Sequence, residues 1–221
     1  MENNLSSGGK VVLDACCGSR MMWFDKQNPK AVFADVRNET LTVTDRTHRA
    51  DGTRTLRIEP DHQIDFRDMP FADEAFKLVA FDPPHLERAG PNSWMAAKYG
   101  KLSCDWREDL RAGFAECFRV LESEGVLVFK WNEVQVKLSE VLALTPHKPL
   151  FGQVSGRSGM THWLVFMKPK SYENKTAEFE NKLARLENKL DKANGLLCQI
   201  YESGADLNEL EKPVHDYLIK T

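Results

Sequence analysis

The sequence lacks the features that mark membrane proteins, disulfide-rich secreted proteins and zinc proteins. Its longest apolar runs are four or five residues, such as 78–81 and 126–129, whereas a membrane-spanning helix needs ~20. Residues 1–10 contain no apolar secretory segment. The five cysteines include no C-x-x-C pair, which disfavours a disulfide framework and a thiolate metal site. We therefore expect a cytoplasmic protein with no membrane span and no bound metal.

A surplus of positive charge is also missing. The chain carries 30 Lys and Arg against 33 Asp and Glu, and residues 171–221 hold 7 of the basic and 10 of the acidic residues. Residues 1–170 are therefore neutral, with 23 of each sign. Because nucleic-acid-binding proteins usually show a basic excess, any contact with phosphates must come from a local patch.

Apolar patterns predict an α/β domain over residues 1–170. Alternation of strands with helices favours a mostly parallel sheet covered on both faces. Residues 38–60 are polar and rich in Arg and Thr, and we assign them to an insertion or long loop. Strands are predicted at 10–14, 31–35, near Ile64, at 76–82 and at 125–131, helices at 21–26, 106–121 and 134–144, and a closing antiparallel hairpin at 150–155 and 162–167.

Residues 171–221 are predicted to form a separate helical tail with a heptad seam. Apolar positions are spaced alternately by four and three residues, which is typical of a coiled coil. The seam extends over 172–200 if Tyr172 and Thr176 are included, and a second short helix is predicted at 205–219. The seam predicts a homodimer, and a helix folded back on its own domain is the alternative. The seven central positions are Phe179, Leu183, Leu186, Leu190, Ala193, Leu197 and Ile200.

Two acidic residues each end a predicted strand, at Asp14 and Asp35. In a parallel sheet these ends meet at one edge, where ligands bind. An acid that ends the second strand is well placed to accept hydrogen bonds from a ribose. The pattern indicates a nucleoside-type cofactor, although it also fits a dinucleotide enzyme or two structural acids.

The first strand and its turn resemble the first motif of class I S-adenosylmethionine (SAM) methyltransferases, in Val-Leu-Asp-Ala-Cys-Cys-Gly at 12–18. Asp35 resembles that family's ribose-binding acid, and 65–76 resembles the segment that reaches the adenine. The resemblance covers residues 10–168 and implies SAM as cofactor and a Rossmann-like sheet of seven strands. It implies cofactor contacts at Asp14, Cys16, Gly18, Arg20, Asp35, Asp65, Phe66 and Asp82.

Arg20 departs from the family pattern, which has a small residue at this point of the loop. Its guanidinium is expected either to pair with the methionine carboxylate of the cofactor or to point to solvent. We predict that Arg20→Ala weakens SAM binding, and an unchanged affinity in calorimetry would remove the carboxylate role.

The segment Phe-Asp-Pro-Pro-His at 81–85 resembles the (Asp/Asn/Ser)-Pro-Pro-aromatic motif of methyltransferases that act on amino nitrogens. The resemblance implies that Asp82, Pro83, Pro84 and His85 are the catalytic residues. A carboxylate and a proline carbonyl each accept one N–H, and the two prolines fix the turn. His85 stands where the family has Tyr, Phe or Trp, so it either stacks on the acceptor or supports the site from behind. With the segments 16–20, 129–133 and 161–163, this motif is similar to small phage and prophage methyltransferases.

The long connection at 86–106 and the end of the fifth strand are predicted to complete a substrate pocket. Aromatic residues interleaved with Lys and Arg suit base stacking and phosphate contact. Packing of the same rings onto the sheet is the alternative. The predicted substrate contacts are Trp94, Tyr99, Lys101, Lys130 and Trp131.

The sequence thus predicts a SAM-dependent methyltransferase of amino nitrogens, with adenine N6 in nucleic acid as the target and DNA favoured over RNA. One alternative is a methyltransferase for a protein amide or a small-molecule amine. Another is a weakly catalytic module that binds SAM or a partner through its coiled coil.

Overall fold

A computed structural model describes residues 5, 7–44, 52–90, 93–156, 159–170, 182–187 and 189–195. Two compact units make up the chain, Met1–Lys170 and Ser171–Thr221. The elements of the first unit are β1 (Val12–Asp14), β2 (Ala31–Asp35), β3 (Glu39–Thr44), β4 (Thr53–Ile58), β5 (His62–Gln63), β6 (Phe76–Phe81), α1 (Trp94–Tyr99), α2 (Trp106–Val120), β7 (Leu121–Asn132), α3 (Leu138–Leu142), β8 (Phe151–Ser155) and β9 (Thr161–Met167).

Within the described residues the main sheet has seven strands in the order β5-β2-β1-β6-β7-β9-β8. The first five run parallel, and β9 pairs antiparallel with both β7 and β8. The predicted Rossmann-like sheet with a closing antiparallel hairpin is therefore confirmed. Because β1, β2, β6 and β7 are parallel, their carboxyl ends meet at one edge.

Helix α2 covers one face of this sheet. Its buried residues recur at helical spacing, and they pack on the apolar side chains of β6 and β7. Phe114 lies against Phe81 and Phe129, with ring centroids 5.6 and 5.0 Å apart. The helix predicted at 106–121 is confirmed, and it supports the strands that carry the candidate site.

The helix predicted at 21–26 is wrong, because the structure forms turns there. Just before this segment, Gly18 and Arg20 have left-handed backbone angles, with φ of 49° and 54°. A right-handed helix does not accommodate such angles. Trp23 then folds onto the sheet, edge to face with Phe33 at 4.9 Å. Trp23, which was predicted to lie in a helix, therefore packs on the sheet from a turn.

Coverage of both sheet faces by helices is also not observed at β1 and β2. Alternate residues point to opposite faces, and Leu13 and Val32 belong to the main core beneath α2. Ala31 and Phe33 form a second, smaller cluster on the other face, where Trp23 packs against them. On that face the turn after β1, and not a helix, covers the apolar residues of the sheet.

Residues 38–60 contain a β-hairpin, which corrects the assignment to a loop. Strands β3 and β4 pair antiparallel from Glu39 opposite Ile58 to Thr44 opposite Thr53, and 45–51 lie outside the described residues. In β3, half-buried residues alternate with exposed threonines. That two-residue period and the Thr content favour a strand, so the signal was present in the sequence.

The helix predicted at 134–144 is shorter than expected, because α3 occupies only Leu138–Leu142. The preceding residues make a turn in which the Val136 carbonyl accepts a hydrogen bond from Trp131 Nε1 at 3.0 Å. Glu133 accepts the Leu138 backbone N–H at 3.2 Å. These contacts use positions that a longer helix would have occupied.

In the tail, residues 182–187 and 189–195 are helical, as the heptad pattern predicts. Leu183, Leu186 and Leu190 are exposed by 57, 54 and 62 %. The other seam positions, apart from Ala193, and the helix predicted at 205–219 lie outside the described residues. In the described part of the chain, no helix is both long enough and apolar enough to cross a membrane.

Candidate active site

A cavity of about 290 Å³ opens at the carboxyl edge of the parallel strands. Its walls are formed by the turn after β1, the end of β2, the residue after β6 and the end of β7. This is the edge of the sheet at which the acidic strand ends predicted a ligand site. The lining residues are Ala15, Cys16, Cys17, Gly18, Ser19, Met21, Met22, Asp35, Val36, Arg37, Phe66, Asp82, Pro84, Lys98, Tyr99, Lys130 and Trp163.

The turn after β1 is held to the end of β2 by its backbone. The Cys17 N–H donates to the Ala34 carbonyl at 2.8 Å, and the Gly18 N–H donates to Asp35 Oδ2 at 2.8 Å. Gly18 adopts a left-handed φ of 49°, which glycine allows without strain. Cys16, another small residue, lines the cavity beside it.

Asp35 is buried and joins the two sides of the cavity through Arg37. Its Oδ1 accepts the Arg37 backbone N–H at 2.9 Å and Nε at 3.2 Å, and Arg37 Nη1 donates to the Ala97 carbonyl in α1 at 3.1 Å. Each carboxylate oxygen has two acceptor positions. Asp35 Oδ2, which takes the Gly18 N–H, therefore still has acceptor capacity toward the cavity.

Asp14 lies beneath the cavity rather than in its lining. Its side chain is fully buried and accepts Trp23 Nε1 at 2.7 Å. Burial raises the pKa of Asp14 to about 7, and the nearby Asp82 acts in the same direction. This residue therefore links the sheet to the Trp23 turn and is placed to influence the site electrostatically.

Arg20 is turned away from the cavity. Its guanidinium donates to the Lys26 and Glu59 carbonyls at 2.7 Å and to Asp61 at 2.9 Å, and it lies over the Phe33 ring at 3.9 Å. Neither of the two expected positions, on a cofactor carboxylate or in solvent, is observed.

Residues 65 and 66 have different environments. Phe66 lines the cavity and meets Phe81 edge to face at 5.3 Å. Asp65 is outside the lining and binds Arg67, which also reaches Asp109. The hydrogen bonds from Arg67 lower the pKa of Asp65, so Asp65 fixes the loop that presents Phe66.

Asp82 follows β6 and forms an ion pair with Lys130 inside the cavity. Lys130 Nζ lies 2.5 Å from Asp82 Oδ2, and the two side chains are 21 and 16 % exposed in that order. Burial raises the pKa of Asp82, and the charges of Lys130 and Lys98 oppose this shift. Glu133, three residues after Lys130, lies instead beside His162, with Oε1 3.1 Å from Nε2.

The two prolines and His85 turn away from Asp82 in succession. Pro83 is buried, Pro84 lines the cavity, and His85 lies behind the lining between Tyr99 and Trp131, at 5.2 and 6.4 Å between ring centroids. Burial, followed by the charge of Lys130, lowers the pKa of His85 to about 4. His85 is therefore neutral at physiological pH and supports Tyr99.

Helix α1 supplies two lining residues from the connection at 86–106. Ser93 caps it, accepting the Ala96 N–H at 3.3 Å. Lys98 and Tyr99 face the cavity, whereas Trp94 and Lys101 lie outside its lining. Of the three residues predicted here to contact substrate, Tyr99 therefore lies at the cavity, and the contact itself stays a prediction.

Trp131 does not line the cavity, and Trp163, for which the sequence predicted no role, does. Trp131 is fully buried in the core, which excludes the predicted substrate contact. Trp163 lines the cavity and stands opposite Lys130 in the β7–β9 register, with Lys130 Nζ 5.6 Å from its ring centroid. The two-residue period of β7, which places Lys130 and Trp131 on opposite faces, could have identified this.

No protein-family profile and no curated protein matches the sequence. Among solved structures, the chain is similar to the PH0226 protein of Pyrococcus horikoshii OT3, with 16 % identity and a TM-score of 0.43 over 72 % of this chain and 81 % of that one. It is similar to a TehB-like SAM-dependent methyltransferase of Corynebacterium glutamicum, with 16 % identity and a TM-score of 0.44 over 72 and 80 %. A third is a geranyl diphosphate methyltransferase in complex with SAM, with 13 % identity and a TM-score of 0.39 over 76 and 81 %.

Proposed function

We propose that the chain is a SAM-dependent methyltransferase that methylates an exocyclic amino nitrogen, with adenine N6 in nucleic acid as the target and DNA favoured over RNA. One observation carries the proposal. Asp82, followed by two prolines at the end of a buried parallel strand, lines the same cavity as Asp35 and Gly18. An acceptor-binding carboxylate and a ribose-binding acid thus share one site.

The lining fits the parts of the cofactor. Asp35 would hold the ribose hydroxyls, Phe66 would pack on the adenine, and the backbone at Cys16 and Gly18 would approach the methionine portion. With Arg20 turned away, Lys98 and Lys130 are the lining cations nearest to Asp82 that suit a carboxylate. When bound, SAM supplies an electrophilic methyl group on its sulfonium.

The residues around Asp82 orient and deprotonate the acceptor. An exocyclic amine is a weak nucleophile because its lone pair is delocalised into the ring. Asp82 accepts one N–H and the Pro83 carbonyl accepts the other, so the lone pair points toward the methyl donor. Lys130 stabilises the ionised form of Asp82. As the new N–C bond forms and the methyl carbon leaves sulfur, the nitrogen loses its proton to Asp82.

Two aromatic rings near this carboxylate would be the stacking surfaces for a flat acceptor. Tyr99 and Trp163 both line the cavity, and Lys130 Nζ is 5.7 and 5.6 Å from their ring centroids. Tyr99 thereby takes the stacking position expected of His85. A base in a duplex would have to flip out of its stack to reach this depth, at a cost of a few kcal/mol.

The heptad seam at 172–200 is proposed to pair two copies of the chain. Three of its leucines in the described part of the tail are more than half exposed in a single chain. A seam of this kind is stable when a second helix covers it.

The test is methyl transfer from labelled SAM to plasmid DNA, total RNA and lysate protein, followed by mass spectrometry of the nucleosides. N6-methyladenine should appear with the native chain. Asp82→Ala should bind SAM with unchanged affinity in calorimetry but transfer no methyl group. The exposed carboxylate Asp68, changed to Ala, is the matched control and should leave both unchanged.

Three results would reject the proposal in different ways. Label confined to protein would favour the amide or amine alternative. Transfer that survives Asp82→Ala would remove the role of the motif. Failure of the native chain to bind SAM would refute the cofactor site itself.

A further inference from the structure

A second depression adjoins the candidate active site. It is a groove of about 860 Å³ between the turn after β1 and strand β4. Ser19 and Met21 line both this groove and the active-site cavity, so the two lie side by side. We call it the basic groove, after its four cationic lining residues Arg20, Lys26, Arg54 and Arg57.

Positive charge in the basic groove exceeds negative charge, in contrast to the neutral composition of residues 1–170. Glu59 is its one acidic lining residue among those the structure describes. Lys26 Nζ donates to the Ser19 carbonyl at 3.1 Å. Because a carbonyl is neutral, this bond does not cancel the positive charge of Lys26. Arg57 is exposed and makes no ion pair within the described ranges. Arg54 reaches Met21 Sδ at 3.6 Å, at the junction with the cavity.

An acidic residue does lie behind the groove, but it is already paired. Asp61 contacts both Arg20 and Lys10 at 2.9 Å. One carboxylate thus sits between two cations, and the net charge of that cluster stays positive. The groove therefore keeps a surplus that attracts an anionic polymer.

Phe24 adds an aromatic surface to the same turn. Its side chain is fully exposed, and it lies in the sequence between Met21 and Lys26. A large ring surrounded by water gains free energy when an apolar or aromatic partner covers it. Exposed rings among basic side chains are typical of surfaces that bind single-stranded nucleic acid, where bases stack and cations track the backbone.

We propose that the basic groove binds the phosphodiester backbone of a single-stranded nucleic acid, with Phe24 stacking on a base, and that the strand passes over Met21 to Asp82. A ring at the surface reaches unpaired bases, which favours a single strand over a duplex. This inference rests on the proposed function, since it supplies the phosphate contacts that the overall charge does not.

The test is fluorescence anisotropy of a labelled 12-nucleotide strand, as DNA and as RNA, with the full chain. Arg54→Ala/Arg57→Ala should weaken binding by about tenfold or more and lower the slope of log K against log salt by about 1.4 for two lost phosphate contacts. Phe24→Ser should weaken binding by about fivefold or more. The matched control is Arg107→Ala/Arg111→Ala, which removes two exposed arginines of α2. Arg107 pairs with Glu140 and Arg111 with Glu108, and their removal should have little effect on binding of the strand.

SAM affinity of each variant, measured by calorimetry, separates this proposal from the previous one. If the groove variants bind the strand as the native chain does, or if the α2 variant loses as much affinity, the groove assignment is wrong while methyl transfer can stand. A polyglutamate peptide that competes as well as the oligonucleotide would also overturn it, in favour of an acidic protein partner. Native binding that depends on Arg54, Arg57 and Phe24 supports it, and the DNA and RNA arms then identify the polymer.

Discussion

Lys130 and Asp82 form an ion pair across two neighbouring parallel strands, with Nζ 2.5 Å from Oδ2, inside the cavity that holds the proposed chemistry. A buried carboxylate is costly to ionise unless a partner stabilises its charge. The partner here comes from the next strand of the sheet. The protonation state of Asp82 therefore depends on Lys130.

Removing this cation should shift the pH dependence of methyl transfer. Burial raises the pKa of Asp82 and Lys130 opposes the shift, so Lys130→Met raises the pKa further. Because the proposed mechanism uses the ionised form, the acidic limb of kcat against pH should move to higher pH, with a loss of activity on the acidic side. Lys130→Arg keeps the charge and should move the limb less. Identical profiles for Lys130→Met and the native chain would exclude the dependence.

Asp14 should make the folded state less stable as the pH rises. Its pKa of about 7 in the folded state lies above the ordinary 3.8, so between these values the folded chain holds a proton that the unfolded chain has released. This contribution is complete below pH 3.8 and is lost as the pH rises through 7, on the order of a few kcal/mol. Asp14→Asn should flatten the fall of Tm between pH 5 and 8, whereas the exposed Asp68→Asn should not. Parallel Tm curves for Asp14→Asn and the native chain would disprove this.

Gly113 should resist substitution although it lies within a helix. A Cβ at this position would come within 2.7 Å of Phe66 Cδ2 and 2.8 Å of Phe81 Cζ. Gly113→Ala should lower the free energy of unfolding by about 1–3 kcal/mol from overpacking, despite a helix-propensity gain of ~1 kcal/mol. SAM affinity should also fall, because Phe66 lines the cavity. The exposed Ala115→Gly should lose only the propensity contribution. In urea unfolding, a Gly113→Ala variant more stable than the native chain would contradict the packing.

The tail seam should determine the oligomeric state. Leu186→Ala/Leu190→Ala removes two exposed apolar residues of the seam and should convert a dimer to a monomer in light scattering. Arg185→Ala/Lys189→Ala shortens two charged residues beside the seam and is the matched control, with no change expected. A native chain that is monomeric at micromolar concentration would refute the pairing.

The strands and the acidic ends of β1 and β2 were predictable because short apolar runs that end in a carboxylate are local signals. Asp35, Asp82 and Gly18 therefore stood where the sequence placed them. The hairpin β3–β4 was missed although its alternation was present, since Arg and Thr obscured it. Arg20 and Trp131 were assigned wrongly for two different reasons. The position of Arg20 depends on Asp61, 41 residues along the chain, and no local pattern encodes that contact. Trp131 was misassigned although the two-residue period of β7 already places it on the face opposite to that of Lys130.

Helix α1 contributes Lys98 and Tyr99 to the wall of the cavity. A helix of six residues is marginal by itself, and Arg37 ties this one to the end of β2 through the Ala97 carbonyl. Its amides should exchange with solvent well before those of β6 and β7, which lie in the centre of the sheet. Local opening of this turn and a half would expose Lys98 and Tyr99 to solvent, while Asp82 and Lys130 stay held on the central strands.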